Sequence, residues 1–125
     1  MNIGGIEKAG FYPYPPQALA QTCALLDTAR SASLRLLDPC AGEGVALAAV
    51  AQRLIEQGAT VETYGVELSN TRAAQAARVL DHTITGDWFD VATRTGAYSL
   101  LWCNPPYDFD AAVDARQKIR RLEYT

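Results

Sequence analysis

The turn at residues 38–44, Asp-Pro-Cys-Ala-Gly-Glu-Gly, constrains the fold of this chain more than any other stretch. An apolar segment, Leu34 to Leu37, leads into it, and an alanine-rich segment leads out. Gly42 and Gly44 can take positive φ and let a ligand approach the backbone, while a following helix presents unpaired N–H groups. A strand, a glycine turn and a helix predict the entrance to a nucleotide-cofactor site. The alternative is a strand-helix turn that binds nothing.

The spacing of the turn indicates which ligands it suits. It is neither the G-x-G-x-x-G of dinucleotide sites nor a phosphate loop, because no Gly-Lys-Ser/Thr follows. Asp38 stands at the end of the strand. A carboxylate there would repel a pyrophosphate, whereas it suits a cationic or amine-bearing ligand.

Composition narrows the class of protein. With 125 residues, 49% of them hydrophobic, the chain is expected to form one domain, and its net charge of −3 gives no global basic field for nucleic acid. Three separated cysteines without a C-x-x-C pair indicate reduced thiols in a cytoplasmic protein. His82 is the single histidine, so no metal site is expected. No leader or long apolar run is present, so no membrane contact is expected.

Helical and strand periodicities alternate along the chain. Residues 1–15, rich in Gly and Pro, are expected to form an extended arm, residues 16–108 the core, and residues 109–125 a single C-terminal helix. Four strands are predicted in the core, at Leu34–Leu37, Thr60–Val66, Thr83–Thr85 and Tyr98–Cys103. The first helix is predicted to run from Pro16 to near Ser31, and the second, which follows the first strand, to end at Gly58 and to be buried through Leu47, Val50, Ala51, Leu54 and Ile55. The third helix, which follows the second strand, is predicted to be capped by Ser69 or Asn70 and to be buried through Ala73, Ala76, Ala77 and Leu80.

This alternation predicts an α/β fold with right-handed crossovers and a parallel sheet. Ligands bind such sheets at the carboxyl ends of the strands. Four polar residues stand at or just after predicted strand ends, namely Asp38, Glu67, Asp87 and Asn104.

Two of these acids have positions that suit a nucleoside. Glu67 follows the glycine turn at the distance where doubly wound proteins place an acid on ribose hydroxyls, although it could also be a solvated charge or a first-turn acid. Asp87 could accept a hydrogen bond from an adenine amino group while Trp88 or Phe89 covers the ring. In the alternative, Asp87 is a helix cap and Trp88 belongs to the core.

The segment Asn104-Pro105-Pro106-Tyr107 carries the sharpest chemical signal. Two prolines remove two donors, which leaves the Pro105 carbonyl and the Asn104 amide oxygen as acceptors. Two acceptors that converge on one planar NH₂ group can hold it and aim its nitrogen at a methyl donor. Tyr107 offers a face for stacking of the target ring. The alternative is a proline turn that ends a buried strand.

These motifs together resemble the class I S-adenosylmethionine-dependent methyltransferases, and most closely the adenine-specific DNA methyltransferases. The stretch 11–15, Phe-Tyr-Pro-Tyr-Pro, is similar to their motif X, and residues 38–44 are similar to motif I. Residues 104–107 match the catalytic (Asn/Asp)-Pro-Pro-Tyr motif. The resemblance spans Phe11 to Asp108 and follows the motif order of enzymes whose recognition domain comes after the catalytic domain.

The resemblance implies S-adenosyl-L-methionine as cofactor, DNA as partner and N6 of adenine as methyl acceptor. The catalytic residues that it implies are Asn104, Pro105, Pro106 and Tyr107. The cofactor-binding residues that it implies are Phe11, Tyr12, Pro13, Asp38, Pro39, Ala41, Gly42, Gly44, Glu67, Leu68, Asp87, Trp88 and Asn104.

The chain also departs from the family pattern. No recognition domain is expected within these 125 residues, and the Rossmann-like parallel sheet of the class I methyltransferases is expected to stop after the fourth strand. A strand as apolar as Leu100 to Cys103 expects cover on both faces and partners on both edges. The chain is therefore expected either to be a fragment, inactive alone, or to associate with itself or a partner along this edge. A basic cluster, Arg116, Lys118, Arg120 and Arg121, could contact phosphate or complement a helix dipole.

Two alternatives to DNA methylation remain open at this point. The Asn-Pro-Pro-Tyr motif also serves enzymes that methylate protein glutamine amides or guanine amino groups in RNA, because the chemistry requires only a planar NH₂. The short length and acidity are also compatible with a non-catalytic cofactor-binding fragment or subunit.

Overall fold

The computed structural model describes residues 13–105, and within them the chain builds an α/β fold. Tyr14 to Asn104 form one compact unit. The helices and strands of this part follow one another as α1 (Pro16–Leu25), β1 (Ser33–Asp38), α2 (Val45–Glu56), β2 (Thr60–Glu67), α3 (Asn70–Ala76), β3 (His82–Thr85) and β4 (Leu100–Leu101). The α/β class that the sequence predicts is confirmed.

The strands form a parallel sheet in the order β3-β2-β1-β4. The chain moves from β1 to β3 in one direction and then adds β4 on the other side of β1. Such a reversal opens a crevice at the carboxyl ends of the two strands where it occurs, and ligands of doubly wound sheets bind there. Asp38, the last residue of β1, lies at this reversal.

Helix α1 is shorter than the sequence predicts. It begins at Pro16, a favourable first-turn residue, but ends at Leu25 rather than near Ser31. The side chain of Gln57 explains the early end, because its amide nitrogen donates to the Leu26 carbonyl at 2.8 Å and its oxygen accepts from the Thr28 N–H at 2.7 Å. These two bonds occupy backbone groups that further helical turns would need.

Helix α2 packs one side into the core. Leu47, Val50 and Leu54 repeat at helical spacing, and each is at most 3% exposed. Full burial of one such side chain contributes about 1.5–3 kcal/mol. The prediction that Ile55 joins this stripe is wrong, since Ile55 is 46% exposed. It follows Leu54 directly and therefore lies about 100° further around the helix.

Helix α3 is held at its start by Ser69, whose hydroxyl accepts from the Arg72 N–H at 3.4 Å. Ala73, Ala76 and, beyond the helix, Leu80 are buried as the sequence predicts. Ala77 is exposed instead, because the helix ends at Ala76 and the chain turns there. Within residues 13–105, no helix combines the length and the apolar composition that crossing a bilayer requires.

Strand β4 covers two residues, fewer than the predicted span of residues 98–103. Its ladder with β1 pairs Leu36 with Leu100 and Leu37 with Leu101. Single hydrogen bonds continue the contact on both sides, with Ser99 N donating to Arg35 O at 2.8 Å and Trp102 N to Leu37 O at 2.9 Å. In the described part of the chain no strand pairs with the outer edge of β4.

The face of the sheet that does not carry the core helices bears a cluster of rings. Tyr64 stacks on His82 with centroids 4.6 Å apart and meets Tyr98 edge to face at 5.3 Å. Glu62 accepts from Tyr64 Oη at 2.7 Å and contacts His82 Nε2 at 2.6 Å. Leu101, on the same face, is 58% exposed. The expectation that a parallel strand is covered on both faces is therefore not met at Leu101 within residues 13–105.

Candidate functional site

Four chain segments meet at the carboxyl ends of the strands, and backbone hydrogen bonds hold them together. Each bond measures 2.9 Å, and the three donor-acceptor pairs are Ala41 N to Val66 O, Gly86 N to Glu67 O, and Trp102 N to Leu37 O. The polar residues expected at the strand ends each lie within two residues of one of these bonds, namely Asp38, Glu67, Asp87 and Asn104. The structure therefore brings all four to one edge of the sheet.

The glycine turn closes tightly onto the neighbouring helix. Gly42 has a φ of 59° and Gly44 a φ of 81°, and both are buried. A Cβ atom on Gly44 would lie 2.9 Å from Val79 Cγ2 and 3.1 Å from Ala76 Cα. The positive φ and the close packing both require glycine at position 44. Pro39 and Ala41, also expected in the cofactor site, are buried in this turn.

Asp38 is a buried carboxylate at the end of β1, with 3% of its surface exposed. One oxygen, Oδ1, accepts from the Cys40 N–H at 2.9 Å, and the other makes no hydrogen bond within residues 13–105. Burial raises the pKa of Asp38 to about 6, and the charge of Glu67 adds to the rise against the opposing Cys40 bond. A cation near the second oxygen would relieve both effects.

Glu67 has a similar arrangement at the end of β2. It is 7% exposed, and its Oε2 accepts from the Ser69 N–H at 3.2 Å and from Arg72 Nε at 3.4 Å. Its Oε1 makes no hydrogen bond in the described part of the chain. Each of the two acids thus has one oxygen engaged internally and one available to a ligand.

Asp87 caps a short 3₁₀ turn, Trp88–Asp90, by accepting from the Phe89 N–H at 3.0 Å. Trp88 lines a cavity of about 40 Å³ on the ring-bearing face of the sheet, together with Tyr64 and Ile84. The cap is the alternative geometry for Asp87, whereas Trp88 is half-buried beside this cavity rather than part of the buried core. The cap uses Oδ1 of Asp87, and contact of this residue with adenine stays a prediction.

The remaining predicted site residues divide into described and undescribed ones. Asn104 is half-buried, and its side-chain amide makes no hydrogen bond within residues 13–105. Leu68 is 70% exposed beside Glu67, where an apolar ligand surface could cover it. Pro13 and Pro105 are exposed in irregular backbone. Outside the described residues lie Phe11, Tyr12, Pro106, Tyr107, the basic cluster at positions 116–121 and the predicted C-terminal helix.

Cys40 is a site residue that the sequence analysis did not single out. Burial raises the pKa of its thiol to about 12, and the neighbouring Asp38, Cys103, Glu67 and Asp87 add to this rise. The thiol therefore stays protonated at neutral pH and is a poor nucleophile.

Arg72 and Gly65 also escaped the sequence analysis. Arg72 lies in the first turn of α3 and contacts Glu67 five residues earlier, at the end of β2, which is outside the three- and four-residue spacings of helical side-chain pairs. Gly65 allows close packing, because a Cβ there would lie 2.6 Å from Leu80 Cδ1 and 2.9 Å from Ala41 Cβ. A glycine inside a strand is a sign of such an approach.

The site can accept hydrogen bonds and positive charge at one edge of the sheet. Its described part has two buried acids, one cap acid and one amide, and the buried pair disfavours an anion.

Residues 3–121 match the sequence profile of the uncharacterised methyltransferase family (DUF6094). The chain belongs to this family.

A search among curated proteins finds no significant match for this DUF6094 chain. Similar solved structures exist. A SAM-dependent methyltransferase from Thiobacillus denitrificans, in complex with S-adenosyl-L-homocysteine, is 23% identical with a TM-score of 0.58, over 82% of this chain and 43% of its own. One from Geobacter sulfurreducens, with the same ligand, is 19% identical with a TM-score of 0.59, over 82% of this chain and 43% of its own.

A third similar structure is the type I restriction-modification system methyltransferase subunit from Streptococcus thermophilus. It is 21% identical with a TM-score of 0.62, over 80% of this chain and 24% of its own. The DUF6094 chain thus spans less than half the length of each of these three proteins. At these identities the likeness establishes the fold, which is the Rossmann-like fold of the SAM-dependent methyltransferases.

Proposed function

We propose that this chain binds S-adenosyl-L-methionine at the carboxyl edge of its sheet and transfers the methyl group to N6 of adenine in DNA. The observation that carries the proposal is the convergence of Asp38, Glu67, Asp87 and Asn104 at that edge. Membership of a methyltransferase family supports the reaction class. The S-adenosyl-L-homocysteine bound to two similar structures supports the cofactor.

The described residues fit this cofactor. Its sulfonium and ammonium groups are cationic, and the buried carboxylate of Asp38 has one oxygen available to a positive group. Oε1 of Glu67 is available to the ribose hydroxyls, and the tight turn at Gly44 keeps side chains out of the entrance. When bound, the cofactor would supply an electrophilic methyl group.

Asn104 would hold the target. Its amide oxygen can accept one N–H of the adenine amino group, and the carbonyl of Pro105 can accept the other. Two such acceptors orient the nitrogen lone pair for in-line attack, and positioning of this kind supplies much of the rate enhancement in transfer reactions. As the new N–C bond formed, the bond between the methyl group and the cofactor sulfur would break, S-adenosyl-L-homocysteine would leave, and one amino proton would pass to water. Tyr107 would stack on the flipped base.

The Asn-Pro-Pro-Tyr motif at residues 104–107 fits any planar NH₂ group, and the aromatic-proline arm at residues 11–15 is the feature that favours DNA as the substrate. One similar structure is a restriction-modification methyltransferase subunit, which is compatible with this choice. The second candidate is methylation of a protein glutamine amide. The net charge of −3 favours it, because nucleic-acid binding needs positive charge to replace counterions.

The experiment that tests the proposal is methyl transfer from S-adenosyl-L-methionine to unmethylated DNA, with mass spectrometry of the digested nucleosides. We expect N6-methyl-2′-deoxyadenosine as the methylated nucleoside. Methylated guanine in an RNA substrate, or methylated glutamine in a protein substrate with no product on DNA, would replace adenine as the target. Cofactor binding without transfer to any of these would identify the chain as a non-catalytic cofactor-binding part.

A further inference from the structure

Arg72 packs, mostly out of solvent, against the carboxylate of Glu67. Its side chain is 14% exposed and that of Glu67 is 8% exposed, with Nε at 3.4 Å from Oε2. Arginine is rarely buried to this extent unless it is paired, because removal of its charge from water is costly. By comparison, the arginine–glutamate pair of Arg35 and Glu62 lies at the surface, with side chains 58% and 42% exposed.

The contacts on Glu67 are asymmetric. Both donors, the Ser69 N–H and Arg72 Nε, reach the same oxygen, Oε2. Within residues 13–105 nothing donates to Oε1. Two donors that converge on one oxygen limit rotation of the carboxylate, so the range of directions open to its second oxygen is narrowed.

The charge of Arg72 acts at a place where negative charge accumulates. Glu67 and Asp38 interact, and Asp87 and Asp38 both act on Cys40. A second carboxylate nearby favours rotation of Glu67 away from the site. Arg72 opposes this rotation, because it attracts Glu67 and donates a hydrogen bond to it.

We propose that Arg72 is a positioning residue that holds Glu67 so that Oε1 faces the ribose hydroxyls of the cofactor. The inference rests on the proposed ribose contact of Glu67, and it extends that contact to a residue outside the glycine turn and the catalytic motif. Arg72 itself does not touch the ribose in this account. Its effect on affinity therefore depends on the presence of the ribose hydroxyls.

The test is titration calorimetry of the full 125-residue chain with S-adenosyl-L-homocysteine and with its 2′,3′-dideoxyribose analogue. The variants are Arg72→Met, which keeps length without charge, Arg72→Lys, which keeps charge, and the control Arg78→Met at an exposed position of the same segment. Circular dichroism melting checks that each variant is folded.

We expect the wild type to bind S-adenosyl-L-homocysteine about tenfold more tightly than the dideoxy analogue, as for hydrogen bonds to a charged group. Arg72→Met should remove this preference by weakening the natural ligand alone, and Arg72→Lys should restore part of it. Arg78→Met should bind both ligands like the wild type.

Three outcomes overturn the inference, and they are distinguishable. If Arg72→Met and Arg72→Lys weaken the binding of both ligands equally, Arg72 has a structural role. If Arg72→Met still prefers S-adenosyl-L-homocysteine to the dideoxy analogue as the wild type does, Arg72 does not position Glu67. In both cases the ribose contact of Glu67 survives. A wild type that binds both ligands equally, or neither, would overturn the proposed ribose contact together with the inference.

Discussion

The ring of Tyr14 meets the ring of Trp102 edge to face, with centroids 5.1 Å apart and planes at 73°. Tyr14 directly follows the part of the aromatic-proline arm for which a cofactor contact is predicted, and Trp102 stands two residues before Asn104. The hydroxyl of Tyr14 also shares a hydrogen bond of 3.2 Å with Thr22 Oγ1. This pair therefore links the start of helix α1 to the approach of the catalytic motif.

We expect the Tyr14 and Trp102 rings to stabilise the fold cooperatively. A double-mutant cycle with Tyr14→Leu and Trp102→Leu, measured by urea unfolding, should give a coupling free energy of about 0.5–1.5 kcal/mol, the range for edge-to-face aromatic pairs. Tyr14→Phe is the matched control, because it keeps the ring and loses only the hydroxyl contact with Thr22. Strict additivity of the two leucine variants would show that the rings do not interact.

Replacement of Gly44 by alanine should destabilise the protein through both strain and overlap. The added Cβ would approach Val79 and Ala76, so the free energy of unfolding should fall by about 2–4 kcal/mol in urea titrations. Gly96→Ala separates the two effects, because Gly96 has a φ of 75° and no heavy atom within 4 Å of the added Cβ. It should lose only about 1–2 kcal/mol from strain. Equal losses in the two variants would contradict the packing argument.

Much of the site could be predicted from the sequence because its residues are defined by local chain features. The glycine turn, Glu67 and Asn104 each follow an apolar strand that the sequence predicts. In each case, the strand preceding the residue fixes the end of the sheet at which it lies. Parallel pairing then brings these ends together without further information.

The features that could not be predicted depend on contacts between distant residues. Helix α1 ends at Leu25 because Gln57 binds the backbone at Leu26 and Thr28, and no local pattern near Leu25 indicates this. The place of Trp88 depends on a cavity with walls formed by residues of three strands and of the segment between β3 and β4. Long-range packing of this kind overrides local propensity and is not visible in a single sequence.

Asp38→Asn should make the ligand-free protein more stable at neutral pH. Burial raises the folded-state pKa of Asp38 from an ordinary value of 3.8 to about 6, so the wild type loses stability as pH rises between these two values. Full loss above pH 6 would amount to about 3 kcal/mol, since one pKa unit corresponds to about 1.4 kcal/mol. Asparagine carries no charge and keeps an oxygen for the Cys40 N–H.

The check is thermal or urea unfolding of the wild type and Asp38→Asn between pH 4 and pH 8. The stability gain of the variant should be near zero at pH 4, grow through pH 6 and then stay constant. S-adenosyl-L-methionine should bind the variant more weakly at pH 8, because the carboxylate for its cationic groups is gone. A variant that is less stable than the wild type at every pH would show that the Asp38 charge is compensated in the folded state.

Asn104→Ala should abolish methyl transfer and leave cofactor affinity nearly unchanged. Loss of one positioned hydrogen-bonding group in an active site lowers the rate constant by about 100-fold or more. Asn104→Asp keeps an acceptor oxygen, as the (Asn/Asp)-Pro-Pro-Tyr pattern allows, and should retain part of the activity. The readouts are methyl transfer by mass spectrometry and cofactor binding by calorimetry. Normal turnover of Asn104→Ala would remove Asn104 from the catalytic assignment.

The central claim is that the carboxyl edge of the sheet binds S-adenosyl-L-methionine through Glu67. Titration calorimetry of the 125-residue chain with this cofactor, repeated with Glu67→Ala and with the exposed-acid control Glu56→Ala, tests it most directly. The account predicts one binding site in the wild type and in Glu56→Ala, and binding at least about tenfold weaker in Glu67→Ala. Equal binding by the wild type and Glu67→Ala, or no binding by a folded wild type, would contradict it.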